Sequence, residues 1–119
     1  MKKLMTRLLS LVLLGAFIPS FVLADNWYLE KGSISVEATE SGQTVSQVGG
    51  ERKNDDAPVI STHAPDSTKT GAVEHTITIK AEKNATANVT LENVNIDVSS
   101  KSEAAITTSG EGSVNIELD

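Results

Sequence analysis

The sequence predicts an all-β fold, the N-terminal part of a parallel β-helix (β-solenoid), preceded by a signal-peptide helix. Three observations predict it. Short runs alternate apolar and polar residues, with β-branched residues at the apolar positions, which is the strand signature. The 95 residues after Ala24 hold no cysteine and only two aromatics, Trp27 and Tyr28. A thin core of Val, Ile, Leu and Ala suits stacked coils better than a globule. Finally, Ala87–Glu92 matches Gly112–Glu117 at an offset of 25 residues, within the periods of solenoid repeats.

The chain opens with Lys2, Lys3 and Arg7 ahead of an almost wholly apolar run from Leu8 to Leu14. Pro19 then breaks helix, and Val22 and Ala24 supply the short residues a signal peptidase reads. A spanning helix needs roughly 20 apolar residues, and this run is shorter and interrupted. Residues 1–24 are therefore expected to be a cleaved signal peptide and residues 25–119 an extracellular or cell-surface segment with no membrane contact after cleavage. The two stretches 49–57 and 61–71 are expected to be mobile loops. The last run, Val114–Asp119, reads as a strand that stops, which predicts a truncated fragment.

Strand candidates follow in order: Trp27–Ala38, Gly42–Val48, Pro58–Thr62, Val73–Ala81, Asn88–Val98 and Ser113–Leu118. Leu91 and Val94 are three residues apart and cannot share one face of a straight strand. Glu92-Asn93 is therefore expected to be a bend, as at a solenoid corner. The remaining stretches, Ser99–Glu103 and Thr108–Gly112, read as tight turns.

All 16 acidic residues but only seven of the ten basic ones follow Ala24, so residues 25–119 carry a net charge of −9. Such a surface repels phosphate backbones and argues against nucleic-acid binding. No spacing of His, Cys and carboxylates predicts a metal site, and no cofactor motif is present. His63 and His75 stand alone and are read as packed or exposed rather than catalytic. Asp55-Asp56 reads as a solvated turn. Glu92 and Glu117 are expected to lie one above the other if the 25-residue offset sets the stacking. Trp27 and Tyr28 are the weak ligand-binding candidates; as strand neighbours they point to opposite faces, so at most one packs inward and one remains for a ligand, and capping of the first rung is favoured over glycan stacking. No catalytic residue is assigned.

The residues Val89-Thr90-Leu91-Glu92-Asn93-Val94-Asn95-Ile96, Ala104-Ala105-Ile106 and Val114–Asp119 together resemble the right-handed parallel β-helix repeats of large bacterial surface proteins, often labelled carbohydrate-binding-domain-containing. Trp27–Ile34 is similar to an opening strand of such proteins, and Gly42–Gln47 to a second rung. The resemblance implies a bacterial, non-enzymatic module with a carbohydrate-binding, adhesive or structural role. Its implied partner is a polysaccharide or cell-wall glycan. Polysaccharide lyases share the fold, so a lyase-like fragment is the alternative; such enzymes resemble one another in using calcium-binding acids with a catalytic Arg or Lys in a groove, whereas the one arginine after Ala24, Arg52, lies in the polar loop and no such constellation is read here. The unpaired C-terminal edge is expected to favour association.

Overall fold

In the computed structural model the described residues are 25–119; the signal peptide expected over 1–24 lies outside them. They form nine strands and one short 3-10 turn: β1 Asn26–Tyr28, the turn Leu29–Lys31, β2 Ile34–Thr39, β3 Gly42–Gln47, β4 Arg52–Asn54, β5 Val59–Ser61, β6 Ile77–Ala81, β7 Thr86–Leu91, β8 Ile106–Ser109 and β9 Ser113–Leu118. One sheet runs β1-β5-β7-β9 with every pair parallel. The other runs β4-β3-β2-β6-β8, in which β2, β6 and β8 are parallel. The chain alternates between the two sheets as it advances, a β-solenoid of about three turns. A third wall is marked by the Val73↔Ile96 bridge, closed by Val73 N–H to the Asn95 carbonyl and Asp97 N–H to the Val73 carbonyl.

Stacking places like residues over like. Ile34, Ile77 and Ile106 share one inward ladder, and Val45, Val36 and Ile79 another. Across the core, Trp27, Ile60, Leu91 and Leu118 stack in the first sheet. Ile34, Ile60, Ile77, Ile79 and Val45 are all at most 1 % exposed. Burial of this kind contributes on the order of 1.5–3 kcal/mol per large aliphatic side chain, and each rung also satisfies its neighbour's backbone groups. No disulfide is needed, and none exists, because the chain has no cysteine.

Several expectations change. The run 27–38 is two strands, because the 3-10 turn intervenes and rotates the chain from one sheet into the other. Within Val73–Ala81 only Ile77–Ala81 is ladder-paired strand, while Val73 sits on the third wall. The stretch 49–57 contains β4, and Thr108–Ser109 belongs to β8 rather than to a turn. The bend at Glu92-Asn93 is present, with Asn93 at φ 56°. The repeat offset is 27 residues, not 25: Ala87 lies beside Val114, Asn88 beside Asn115, Val89 beside Ile116 and Leu91 beside Leu118. Both offsets keep the inward parity, so the faces are as expected while the register is not. Glu117 consequently stacks on Thr90, and the Glu92–Glu117 stack is not formed.

The hairpin of β3 and β4 closes one end of the stack. β2 and β3 pair antiparallel, from Ile34↔Gln47 to Thr39↔Gly42. The outermost strand, β4, presents exposed Arg52 and Lys53 at the sheet edge. Charges on an edge strand oppose further pairing. At the other end, β8 and β9 are the outermost strands among the described residues, each paired on its inner side only, and Ile116 and Leu118 are 39 % and 80 % exposed.

Candidate functional site

The site is built around β1, whose neighbours Trp27 and Tyr28 face opposite ways as alternation requires. Trp27 is 3 % exposed and belongs to the core. Its indole Nε1 donates to Asp55 Oδ2 at 2.9 Å. Asp55 is itself 2 % exposed and accepts also from the Asp25 N–H (3.2 Å) and, through Oδ1, from the Ala57 N–H (3.0 Å). The reading of Asp55 as a solvated turn residue is thus corrected: it anchors the cap, while Asp56 is exposed. Local sequence hides this, since the indole that justifies a buried carboxylate lies 28 residues away.

Gln43 and Gln47 perform a related task. Both lie on the core-facing parity of β3, flanking Val45. The Gln43 side-chain amide donates to the carbonyls of Asp55 (2.9 Å) and Asn88 (3.0 Å) and accepts from the Asn88 N–H (2.9 Å). It therefore stands in for a missing peptide unit beside β7. Gln47 Nε2 caps the carbonyls of Tyr28 (2.7 Å) and Gly32 (2.9 Å). A Gln-x-Val-x-Gln face in a strand is the sequence signal that could have identified this cap, because apolar residues normally hold such positions.

Tyr28, half-buried, is the part of the aromatic pair left at the surface. It lines two grooves. One, of about 430 Å³, lies against the cap and includes Lys31, Gln47, Glu51 and Lys53. Lys31 Nζ stands 5.5 Å from the Tyr28 ring centre, within cation–π range. Lys53 is engaged by Asp25 (3.0 Å) and Glu51 (3.6 Å), and the Asp25 hydrogen bond raises its pKa. The second groove, of about 460 Å³, runs over the outward face of the first sheet, between Asn26, Tyr28, Ser61, His63, Glu92 and Asn93. From it the outward rows continue down the sheet: Asn26, Val59, Thr90 and Glu117 in one, Asn88 and Asn115 in the next. Asn115 Nδ2 donates to Asn88 Oδ1 at 3.1 Å across the rungs.

The wall of the second groove is held by a polar knot. Glu30 Oε1 accepts from Ser67 Oγ (2.7 Å) and faces His63 Nδ1 (3.1 Å), while Oε2 accepts from the Ala64 N–H (3.0 Å). His63 Nε2 faces the Gly71 carbonyl at 2.8 Å. The Ser67 hydroxyl, then the Ala64 N–H and His63, lower the Glu30 pKa to about 2. The Gly71 carbonyl, then Glu30, raise that of His63. Neither His63 nor Glu30 was singled out as a functional residue by the sequence; they are 33 positions apart. His75, between Val73 and β6, donates from Nδ1 to the Leu29 carbonyl and is a packing residue.

Arg52 lies on the outer edge of β4, paired only loosely with Glu37 at 3.9 Å. Among the described residues no group of three or more His, Cys, Asp or Glu side chains is placed to hold a metal ion. Comparisons with family models, curated proteins and solved structures find no match to this chain.

Proposed function

We propose that the chain is an exported, non-catalytic β-solenoid module that holds a polysaccharide or cell-wall glycan along the outward face of its first sheet. The observation that carries this reading is the groove beside Tyr28, where one aromatic ring meets Asn26, Ser61, Glu92 and Asn93. A sugar ring offers an apolar C–H face and a rim of hydroxyls. An aromatic side chain takes the first, and amide, hydroxyl and carboxylate groups take the second. The continuing rows of Asn, Thr and Glu suit a polymer better than a single sugar. Trp27 supports the site from within and offers no open face to a ligand.

The test is retention on immobilised pectin and cellulose, with absorbance of unsaturated products followed in parallel. Retention that weakens at least fivefold in Tyr28→Ala, without product, is the expected result. Product release sinks the non-catalytic reading in favour of a polysaccharide lyase-like enzyme fragment. The export part of the reading rests on residues 1–24, and N-terminal sequencing of the secreted protein should begin at Asp25.

The exposed row of Ile116 and Leu118 favours an adhesive or structural role beside this one, through association at the open β8–β9 edge. Concentration-dependent sedimentation that Leu118→Lys abolishes is the expected outcome; a monomer at all concentrations removes that role.

A further inference from the structure

The knot that joins residue 30 to the 62–71 loop has an unusual proton requirement. His63 places both ring nitrogens against acceptors: Nδ1 is 3.1 Å from a Glu30 carboxylate oxygen and Nε2 is 2.8 Å from the Gly71 carbonyl oxygen. A carbonyl oxygen can only accept. A neutral imidazole carries one N–H and cannot donate at both ends. Only the imidazolium satisfies the two contacts together. We propose that protonated His63 is a pH-dependent clasp that locks the 62–71 loop onto the Leu29–Lys31 turn and thereby fixes one wall of the Tyr28 groove.

The surrounding groups fit this role. Glu30 faces the ring from the turn after β1 and is the counter-charge. Lys69, in the loop itself, opposes protonation, but the Gly71 and Glu30 contacts outweigh it, so the pKa lies above its ordinary value near 6.5. Glu92 lines the same groove from the end of β7, and Lys31 and Asp66 flank Glu30. On loss of the proton one of the two contacts becomes lone pair against lone pair. The loop is then held by the Ser67 and Ala64 bonds to Glu30 and by the Glu30 N–H bond to the Thr62 carbonyl. His63 and Pro65, which wall the groove, belong to that loop.

The clasp stands on hydrogen-bond geometry alone; its effect on a bound sugar rests on the function proposed above. Amide hydrogen exchange of the full chain, corrected for intrinsic rates, is to be followed at residues 64–71 at pH 6 and pH 9. Protection there is expected to fall severalfold at pH 9, while β2 and β6 remain protected. In His63→Gln the protection should be low at both values. Nitrogen NMR of His63 in the unmodified protein, which depends on no variant folding, should show both ring nitrogens protonated at pH 6. Equal protection at the two pH values, or a singly protonated ring at pH 6, overturns the clasp, even if glycan retention is seen. Opening at pH 9 without retention on any glycan supports the clasp and removes only the sugar-binding reading.

Discussion

At the residue scale the chain depends on a few buried polar side chains that replace backbone partners. Gln43 is 4 % exposed, and all three of its amide hydrogen bonds serve backbone groups. Gln43→Leu removes those partners and leaves the Asn88 N–H without an acceptor, a loss of about 2–4 kcal/mol at ~1–3 kcal/mol per unsatisfied buried group. The urea midpoint should fall accordingly with an unchanged slope. Asp55→Ala strands the Trp27 indole N–H and is expected to cost about 1–3 kcal/mol. Trp27 fluorescence reports it directly, since this is the chain's single tryptophan. Glu30 and His63 make opposite contributions to pH dependence. The Glu30 pKa is lowered from 4.5 to about 2, so its stabilisation is full above 4.5 and lost as pH falls towards 2. His63 is raised from 6.5, so its stabilisation is full below 6.5 and lost as pH rises through the folded value. Thermal melting should therefore be highest between pH 4.5 and 6.5. His63→Gln should flatten the alkaline side and, because His63 also helps lower the Glu30 pKa, soften the acid side; an unchanged alkaline side would contradict the assignment.

At the scale of elements, the turn from β8 to β9 shows how closely successive rungs approach. Gly110 has φ 94°, and a Cβ there would lie 2.1 Å from the Ala81 carbonyl oxygen. A Cβ on Gly112 would meet the carbonyl oxygens of Glu82 and Ala85 at 2.3 and 2.4 Å. These approaches accompany the Gly112 N–H bond to Ala81 and the Ser113 N–H bond to Ala85, which start β9 in register. Gly110→Ala combines a left-handed backbone, unfavourable by roughly 1–2 kcal/mol for a residue with a Cβ, with a steric clash. It should detach β9 before the rest of the fold, seen as loss of amide protection at residues 113–118 while β2 and β6 stay protected. The alternation of β2, β3, β6, β7 and β9 was legible because a strand half-buried on one face writes its period into adjacent residues. β4 was not, because Arg52-Lys53-Asn54 is exposed throughout and its pairing with β3 leaves no apolar mark. β8 left no alternation of its own for a similar reason, since Ile106 is its only apolar residue and the other inward position is Thr108.

For the whole molecule, the two ends of the stack differ. Among the described residues, one carries the β3–β4 hairpin with its charged outer strand; at the other, β8 and β9 are outermost, with Ile116 and Leu118 exposed. Along the stack, rung lengths are uneven. Ile34, Ile77 and Ile106 are 43 and then 29 residues apart, whereas Asn26, Val59, Thr90 and Glu117 are separated by 33, 31 and 27. Insertions such as the cap hairpin and the 62–71 loop account for the irregularity. No fixed period runs through these rungs, and the similarity of Ala87–Glu92 to Gly112–Glu117 marks the last pair in the first sheet. Sequence by itself determined the all-β class, the inward and outward faces, the bend at Glu92-Asn93 and the division of Trp27 from Tyr28. Each of these follows from side-chain alternation between neighbours a few residues apart. Tertiary structure alone decided the 27-residue register, the burial of Asp55 and the meeting of Glu30 with His63. Those outcomes depend on how loops of unequal length bring distant strands together, and loop length constrains that closure only weakly.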